Sequence, residues 1–376
     1  MHNIFQQSLV CFLFNCQTLT SNFYFKFLAW GDCVSEHFSV SNGVRQGGVS
    51  SGIFFAIYID ELLMMLRNSG FGCTIHGIFL GAIIYADDIF LLSASRTGLQ
   101  VMINVSNEFA SEMNLKFGTN IDPKKSKTKG IIFTKSRRTV DSTKELQLDG
   151  YSLPWVSQVD HLGHILQVDN SMVMDIAQKR GAFIGKVNSL LQEFHYASSS
   201  VLLKFLQTYA CNIYGSNVWD LFSPECNRIY TSFNVALRNI LNLPRTTHRY
   251  LLEPISKIPH IFVQLMSRYA TFTKSLLHNE ALEVRFLSRI SIEDMRTTLG
   301  RSMARIADLC DRSDADTCEI TANLVKSKVK YQSISENEEW RIGIIEDMTN
   351  ILNGNGTIVG LENDKVLTLL EYACIS

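Results

Sequence analysis

The 376-residue chain contains 46% apolar and 19% charged residues, which excludes a disordered or fibrous protein and indicates a globular chain of more than one domain. Its nine cysteines contain no CxxC pair, which argues against a disulfide framework or a structural zinc site. No segment is long and apolar enough to predict a membrane span. We therefore expect a soluble, intracellular protein, either cytoplasmic or nuclear.

The net charge of -1 hides a difference between parts of the chain. Residues 291–376 contain 15 acidic and nine basic residues, a balance of -6, so the first 290 residues carry +5. Residues 116–138 alone hold eight basic residues and one acid. Such a segment can contact the phosphates of a nucleic acid, or it can be an ordinary solvated surface.

The predicted elements change in kind near residue 168. Before it, strands and helices alternate: a helix from Gly52 to Asn68, strand-like runs at 73–81 and 82–93, a helix at 96–117, and strands at 129–133 and 161–166. After it, the pattern predicts helices alone, at 172–194, 199–215, 225–242 and 260–279. This change predicts a domain boundary near residue 168.

The stretch AIIYADDIFLLS, residues 82–93, places two adjacent carboxylates between apolar runs. Unpaired carboxylates inside a buried strand are strongly penalised, so we predict a hairpin with Ala86, Asp87 and Asp88 at its tip. Two carboxylates at one tip favour a divalent cation that prefers oxygen ligands, such as Mg²⁺ or Mn²⁺. Taken alone, an Asp-Asp pair between strands is more often a simple solvent-exposed turn, because Asp is a good turn residue.

Four ordered segments resemble the reverse transcriptases of non-LTR (LINE-like) retrotransposons. YADDIFLLS resembles the family's catalytic hairpin, motif C, and SNGVRQGGVSSGIFFAIYIDELL at 41–63 is similar to motif B. NLKFGTNIDPKKSKTKGIIF at 114–133 resembles motif D, and HLGHIL at 161–166 resembles the primer-grip hairpin, motif E. Residues 219–252 are similar to the helical region that follows the palm, so the resemblance spans roughly residues 28–290.

The resemblance implies an α+β fold: a partial right-hand polymerase palm, an antiparallel sheet with helices, followed by a helical thumb. The implied domains are an N-terminal remnant at 1–40, the palm at 41–168, the thumb at 169–290 and an acidic helical region at 291–376. The implied activity is RNA-directed DNA polymerisation. Its partners would be an RNA template, a DNA primer and dNTPs, with Mg²⁺ or Mn²⁺ as cofactor.

The resemblance also assigns roles to single residues. Asp87 becomes a metal ligand, and Asp88 a second ligand or a carboxylate on the primer side. The residues implied to bind nucleotide or template are a motif D lysine and five loop residues: Gly43, Arg45, Gln46, Gly47 and Gly48. The motif D lysine is Lys125 or Lys127, and their spacing in the sequence does not decide between them. The family's serine-proline pair after the loop is here Ser50-Ser51.

A third carboxylate, on a separate strand, is missing from the expected site. In the family it belongs to motif A, upstream of the loop, where only Asp32 and Glu36 occur, and neither matches. We therefore expect an N-terminally truncated, inactive or nearly inactive relative, with one sheet edge exposed unless the first 27 residues cover it. The alternatives are a non-catalytic nucleic-acid-binding relic and an α-rich interaction protein.

Two histidines near the end of the palm region could suggest a metal pair. His161 and His164 lie three positions apart, which does not place them on one face of a continuous strand. The sequence therefore predicts no metal site there.

Overall fold

The computed structural model divides the chain into two compact units, Met1–Met172 and Val173–Ser376. The structure describes backbone segments between residues 9 and 40, and then residues 51–113, 115–120, 122, 125–134, 145–247, 249, 252–310 and 320–328. Within these residues, no helix has the length and apolar character needed to cross a membrane.

In the residues that the structure describes, the first unit contains short strands and two helices. Its strands are β1 Leu9–Gln17, β2 Tyr24–Lys26, β3 Ala29–Trp30, β4 Cys33–Val34, β5 Phe38–Val40, β6 Thr74–Ile75, β7 Ile78–Phe79, β8 Ala82–Tyr85, β9 Asp88–Ser93, β10 Lys116–Phe117, β11 Lys129–Phe133, β12 Leu146–Leu148, β13 Tyr151–Leu153, β14 Trp155–Val156, β15 Gln158–His161 and β16 His164–Gln167. Its helices are α1 Ser51–Asn68 and α2 Arg96–Glu112. Mixed helices and strands confirm the α+β class.

The main sheet has the order β14-β11-β1-β9-β8, and β10 also pairs with β1. Its pairs are antiparallel except for β11 with β14. Strand β1 therefore lies in the interior of the sheet, between β9 and β11. The first 27 residues thus supply an interior strand, and β9 is paired on both sides.

Strand β9 packs against apolar groups on both faces of this sheet, because successive side chains of a strand point to opposite faces. Ile89 and Leu91 belong to the larger core with Leu62 and Leu66 of α1 and Leu99 of α2. Phe90 belongs to a smaller cluster with Ile131 and Val159. Strand β9, which begins at Asp88, is therefore held in place by packing on both of its faces.

Local signals in the sequence account for the extent of α1 and for the start of α2. The predicted helix from Gly52 to Asn68 is confirmed as α1, one residue longer at its start. Helix α2 begins at Arg96 because the Ser95 hydroxyl accepts a hydrogen bond from the Gly98 amide at 3.1 Å. A Cβ at Gly98 would lie 2.8 Å from the Ser93 hydroxyl, so this close approach requires glycine.

The second unit is helical in its described part. Its α-helices are α3 Val173–Glu193, α4 Ser199–Phe205, α5 Pro224–Ile240, α6 Leu252–Ser256, α7 Ile261–Leu277, α8 Leu282–Glu293 and α9 Thr298–Leu309. The prediction of one helix over 199–215 was wrong at its end, since the backbone changes to a π-helix at Leu206–Ala210 and the helix stops there. A 3-10 turn, Ser216–Val218, follows.

Candidate active site at a hairpin tip

The two carboxylates lie at the end of a tight hairpin. Tyr85 of β8 pairs with Asp88 of β9, so only Ala86 and Asp87 form the turn. Ala86 has φ 50°, whereas Asp87 is not among the residues with positive φ. A positive φ at the first central residue is the type II′ pattern, which matches the twist of hairpin strands. The predicted hairpin is thus present, but Asp88 belongs to the strand.

Burial differs between the two carboxylates. Asp87 is exposed and Asp88 is half-buried, while the residues that follow, Ile89 and Phe90, are core residues of the unit. Tyr85 is 66% exposed. The tip therefore presents carboxylate oxygens to solvent on a strand that the core holds in place.

On the strand at the other side of Asp88, the paired position is an asparagine. In the register of β1 with β9, Asn15 pairs with Asp88 and Phe14 with Ile89. Paired positions of antiparallel strands lie on the same face of the sheet. The position nearest to Asp88 on its second neighbouring strand therefore supplies no carboxylate.

Within the described part of the chain, the donor set at the tip does not complete a metal centre for two ions. Among the residues that the structure describes, no group of three or more His, Cys, Asp or Glu side chains could hold a metal ion. Two-metal sites place the ions about 4 Å apart and need carboxylates that ligate both of them. Asp87 and Asp88 fit part of such a site only.

His161 lies near the carboxylate tip, which sequence reasoning missed. Strands β15 and β16 form a hairpin in which His161 pairs with His164, and Leu162 and Gly163 form the turn with φ of 46° and 76°. The prediction that the two histidines do not share a face was wrong, because it assumed a continuous strand. The Leu-Gly turn was the available signal.

The His161 ring stacks on the Phe90 ring at 4.9 Å between centroids, with an interplanar angle of 18°. Phe90 is two residues beyond Asp88 on β9, so both lie on the same sheet face. Burial lowers the pKa of His161, and the nearby Asp88 acts in the opposite direction. The segment that resembles the primer grip therefore lies on the face of β9 that carries Asp88.

The two candidate lysines lie in a firmly held segment. Lys125 and Lys127 are exposed and flank buried Ser126. The Lys127 and Thr128 amides both donate to the Gly118 carbonyl at 3.0 Å. Both lysines are thus available to a ligand, and the choice between them stays open.

The predicted loop residues Gly43, Arg45, Gln46, Gly47 and Gly48 lie outside the described residues. Helix α1, which follows that loop in sequence, begins at Ser51.

Comparison with known proteins agrees with the resemblance. Residues 2–166 match the family model for reverse transcriptase (RNA-dependent DNA polymerase). The retrovirus-related Pol polyprotein from the type-2 retrotransposable element R2DM of Drosophila melanogaster is 34% identical over 86 residues. That stretch covers 23% of this chain and 8% of the polyprotein. Residues 2–166 therefore form a reverse transcriptase domain, and a retrotransposon Pol polyprotein is its homologue.

Proposed function

We propose that this chain has the palm of an RNA-directed DNA polymerase, with the hairpin tip at Asp87 and Asp88 as its reaction centre. The observation that supports this proposal best is the pair of adjacent carboxylates at the hairpin tip. Asp87 is exposed in the turn, and Asp88 is half-buried at the start of a strand that packs into the core on both faces. The ligands would be an RNA template, a DNA primer and dNTPs. Asp87 and Asp88 would bind Mg²⁺ or Mn²⁺ through oxygen atoms.

The neighbouring segments support a division of roles within the first unit. The hairpin of β15 and β16 would contact the end of the primer, since His161 stacks on Phe90 beside the tip. Exposed Lys125 or Lys127 would contact a phosphate as a point charge. The loop at 43–48 would contact template and nucleotide, as the resemblance implies. Residues 41–168 would then be the palm and 169–290 the thumb.

We further propose that turnover by this chain is weak. The residue paired with Asp88 on β1 is Asn15, and the described residues supply no third ligand. A missing metal-binding carboxylate costs several kcal/mol of transition-state stabilisation, roughly a thousandfold or more in rate. The chain would bind nucleic acid and a metal ion, but it would extend a primer only slowly. A non-catalytic nucleic-acid-binding role is the alternative.

Primer extension on an RNA template, together with Mn²⁺ binding measured by electron paramagnetic resonance, tests this function. We expect weak Mn²⁺ binding and trace extension, both lost in Asp87→Asn. Asp149→Asn is the matched control, because Asp149 is also an exposed hairpin-turn aspartate of this unit. Mn²⁺ binding and extension that survive Asp87→Asn would disprove the assignment. Nucleic-acid binding without any extension would select the alternative.

The pairing of β1 with β9 suggests a second test of the incomplete metal site. Asn15→Asp places a carboxylate at the position paired with Asp88. We expect Mn²⁺ to bind roughly tenfold more tightly, because affinity rises with the number of charged ligands. Unchanged Mn²⁺ affinity in this variant would show that position 15 is not the incomplete part of the site.

A further inference from the structure

Helix α8 of the helical unit buries almost none of its side chains. Of its 12 residues, all of them described, Ser288 alone is buried. Its neighbours α7 and α9 bury nine and five residues. A surface helix of a globular protein normally turns its apolar side chains towards a core. The described contacts therefore leave the apolar residues of α8 incompletely covered, namely Leu282, Val284, Phe286, Leu287, Ile290 and Ile292.

The most exposed apolar side chains of α8 belong to one stripe. Leu282, Phe286 and Ile290 follow one another in steps of four residues, so they lie on the same side of the helix. Leu282 is 69% exposed, Phe286 is 42% exposed and Ile290 is half-buried. The buried Ser288 lies about half a turn away from this side. We call Leu282, Phe286 and Ile290 the α8 stripe, which is about 12 Å long.

A later segment of the same unit has a matching stripe in its sequence. The unit extends from Val173 to Ser376, and its residues 329–376 lie outside the described part. Within them, residues 339–352 have the sequence EWRIGIIEDMTNIL. Apolar residues recur there in steps of four and then three, at Trp340, Ile344, Met348 and Ile351. This spacing predicts an amphipathic helix over residues 339–352.

The residues around this segment agree with a helix that needs a partner. Asn337 before it is a good N-cap residue, and Asn353-Gly354 after it is typical of a helix end. Isolated helices of this length are marginal in water, and Gly343 inside the segment weakens the helix further. The predicted helix therefore requires a surface that covers its apolar side.

Net charge favours contact between this segment and the body of its own unit. Residues 173–310 contain 16 basic and ten acidic residues, a balance of +6. Residues 329–376 contain three basic and eight acidic residues, a balance of -5. Opposite net charges attract one another and raise the frequency of encounter.

The connection is long enough to allow this contact. Lys328 is the last described residue, and Trp340 follows it by 12 positions. An extended chain of that length spans up to about 40 Å. The segment can therefore reach α8 within the same unit.

We propose that residues 339–352 dock as a helix on the α8 stripe of the same chain. The rows spaced by four residues on the two helices would interdigitate, which is the commonest packing between helices of globular proteins. Trp340, Ile344 and Met348 would cover the α8 stripe. Both partners lie outside residues 2–166, so the proposal does not depend on polymerase activity.

Photo-cross-linking in the full chain locates the docking site. Trp340→p-benzoylphenylalanine places a photoreactive ring in the segment, and mass spectrometry identifies the peptide to which it couples. We expect the cross-links to concentrate on peptides of α8. Cross-links concentrated on another helix would overturn the proposal, and so would a covalent dimer, which would show that the segment docks on a second copy.

Hydrogen exchange tests docking in the unaltered chain. The amides of residues 340–352 should exchange at least roughly tenfold more slowly in the full chain than in a synthetic peptide of residues 336–354, because a docked helix opens less often than a free one. Equal exchange rates in the chain and the peptide would contradict docking.

Leu282→Asp tests the contribution of the α8 stripe. Leu282 is largely exposed at the first residue of α8, where an aspartate suits a helix, so the variant should keep its fold. We expect the protection of residues 340–352 to fall at least roughly tenfold, because the leucine would be buried by docking. Val235→Asp is the matched control, since Val235 is 48% exposed on α5. Protection in Leu282→Asp equal to that in the control would overturn the proposal.

Discussion

The two units place aspartate side chains in opposite environments. In the helical unit, Asp175 is 2% exposed and accepts a hydrogen bond from the indole of Trp219, which is itself fully buried. In the first unit, Asp87 is exposed at a hairpin turn. A buried carboxylate with a fixed donor stabilises the fold, whereas the exposed carboxylate of Asp87 is accessible to a ligand. Burial thus separates the carboxylate that supports the fold from the carboxylate with the proposed role in metal binding.

The largest expected effect is the removal of the buried carboxylate. Asp175→Ala leaves the Trp219 indole N–H without its acceptor, so we expect the free energy of unfolding of the helical unit to fall by about 3 kcal/mol. Asp175→Asn keeps an acceptor oxygen and should cost about 1 kcal/mol. Hydrogen exchange of peptides from α3 in increasing urea measures both, and equal losses would contradict a specific role for the hydrogen bond.

A pH dependence of stability is expected in the helical unit. His260 caps α7, its Nδ1 accepts from the Phe262 amide at 3.2 Å, and its ring packs against Tyr230 and Phe233. Burial, with Arg249 as a smaller cause, lowers the pKa of His260 to about 4. The His260 imidazole binds a proton more readily in the unfolded chain than in the folded one. The free energy of unfolding is therefore highest above the pKa that His260 has in the unfolded chain, and it falls as the pH drops from there towards 4.

This titration should cost about 2 kcal/mol between pH 7.5 and pH 5. Hydrogen exchange of α7 peptides at the two pH values measures the loss. His260→Asn keeps a capping oxygen but does not titrate, so its pH dependence should be smaller by that amount. The same pH dependence in the variant would assign the effect to another group.

Local signals in the sequence predicted local structure well. Helix α1 follows from apolar spacing between serines and a glycine, and the β8–β9 hairpin follows from two charges between β-rich runs. The interior place of β1 was not predictable, because LVCFLFN could be a strand or a buried helix segment and its partners are distant in the sequence. The approach of His161 to the tip depends on the same long-range packing.

Relief of strain at the turn should stabilise the hairpin. Ala86 has φ 50°, a left-handed conformation that costs a residue with a Cβ about 1 kcal/mol and costs glycine little. Ala86→Gly should therefore stabilise the first unit by up to about 1 kcal/mol. Ala56→Gly, in the exposed part of α1, should instead lower the free energy of unfolding of the first unit by a similar amount. Hydrogen exchange of β9 peptides measures both, and destabilisation by Ala86→Gly would show that the turn is unstrained.

The smallest expected effect on stability concerns the carboxylate with the proposed function. Asp87 is exposed, so Asp87→Asn should change the free energy of unfolding of the first unit by no more than about 0.5 kcal/mol. Replacing one of two adjacent like charges should make the change slightly stabilising. Asp149→Asn, at the turn between β12 and β13, should change the free energy of unfolding equally little. A loss at Asp87 comparable to that at Asp175 would mean that the hairpin tip supports the fold, and the contrast between the two units would fail.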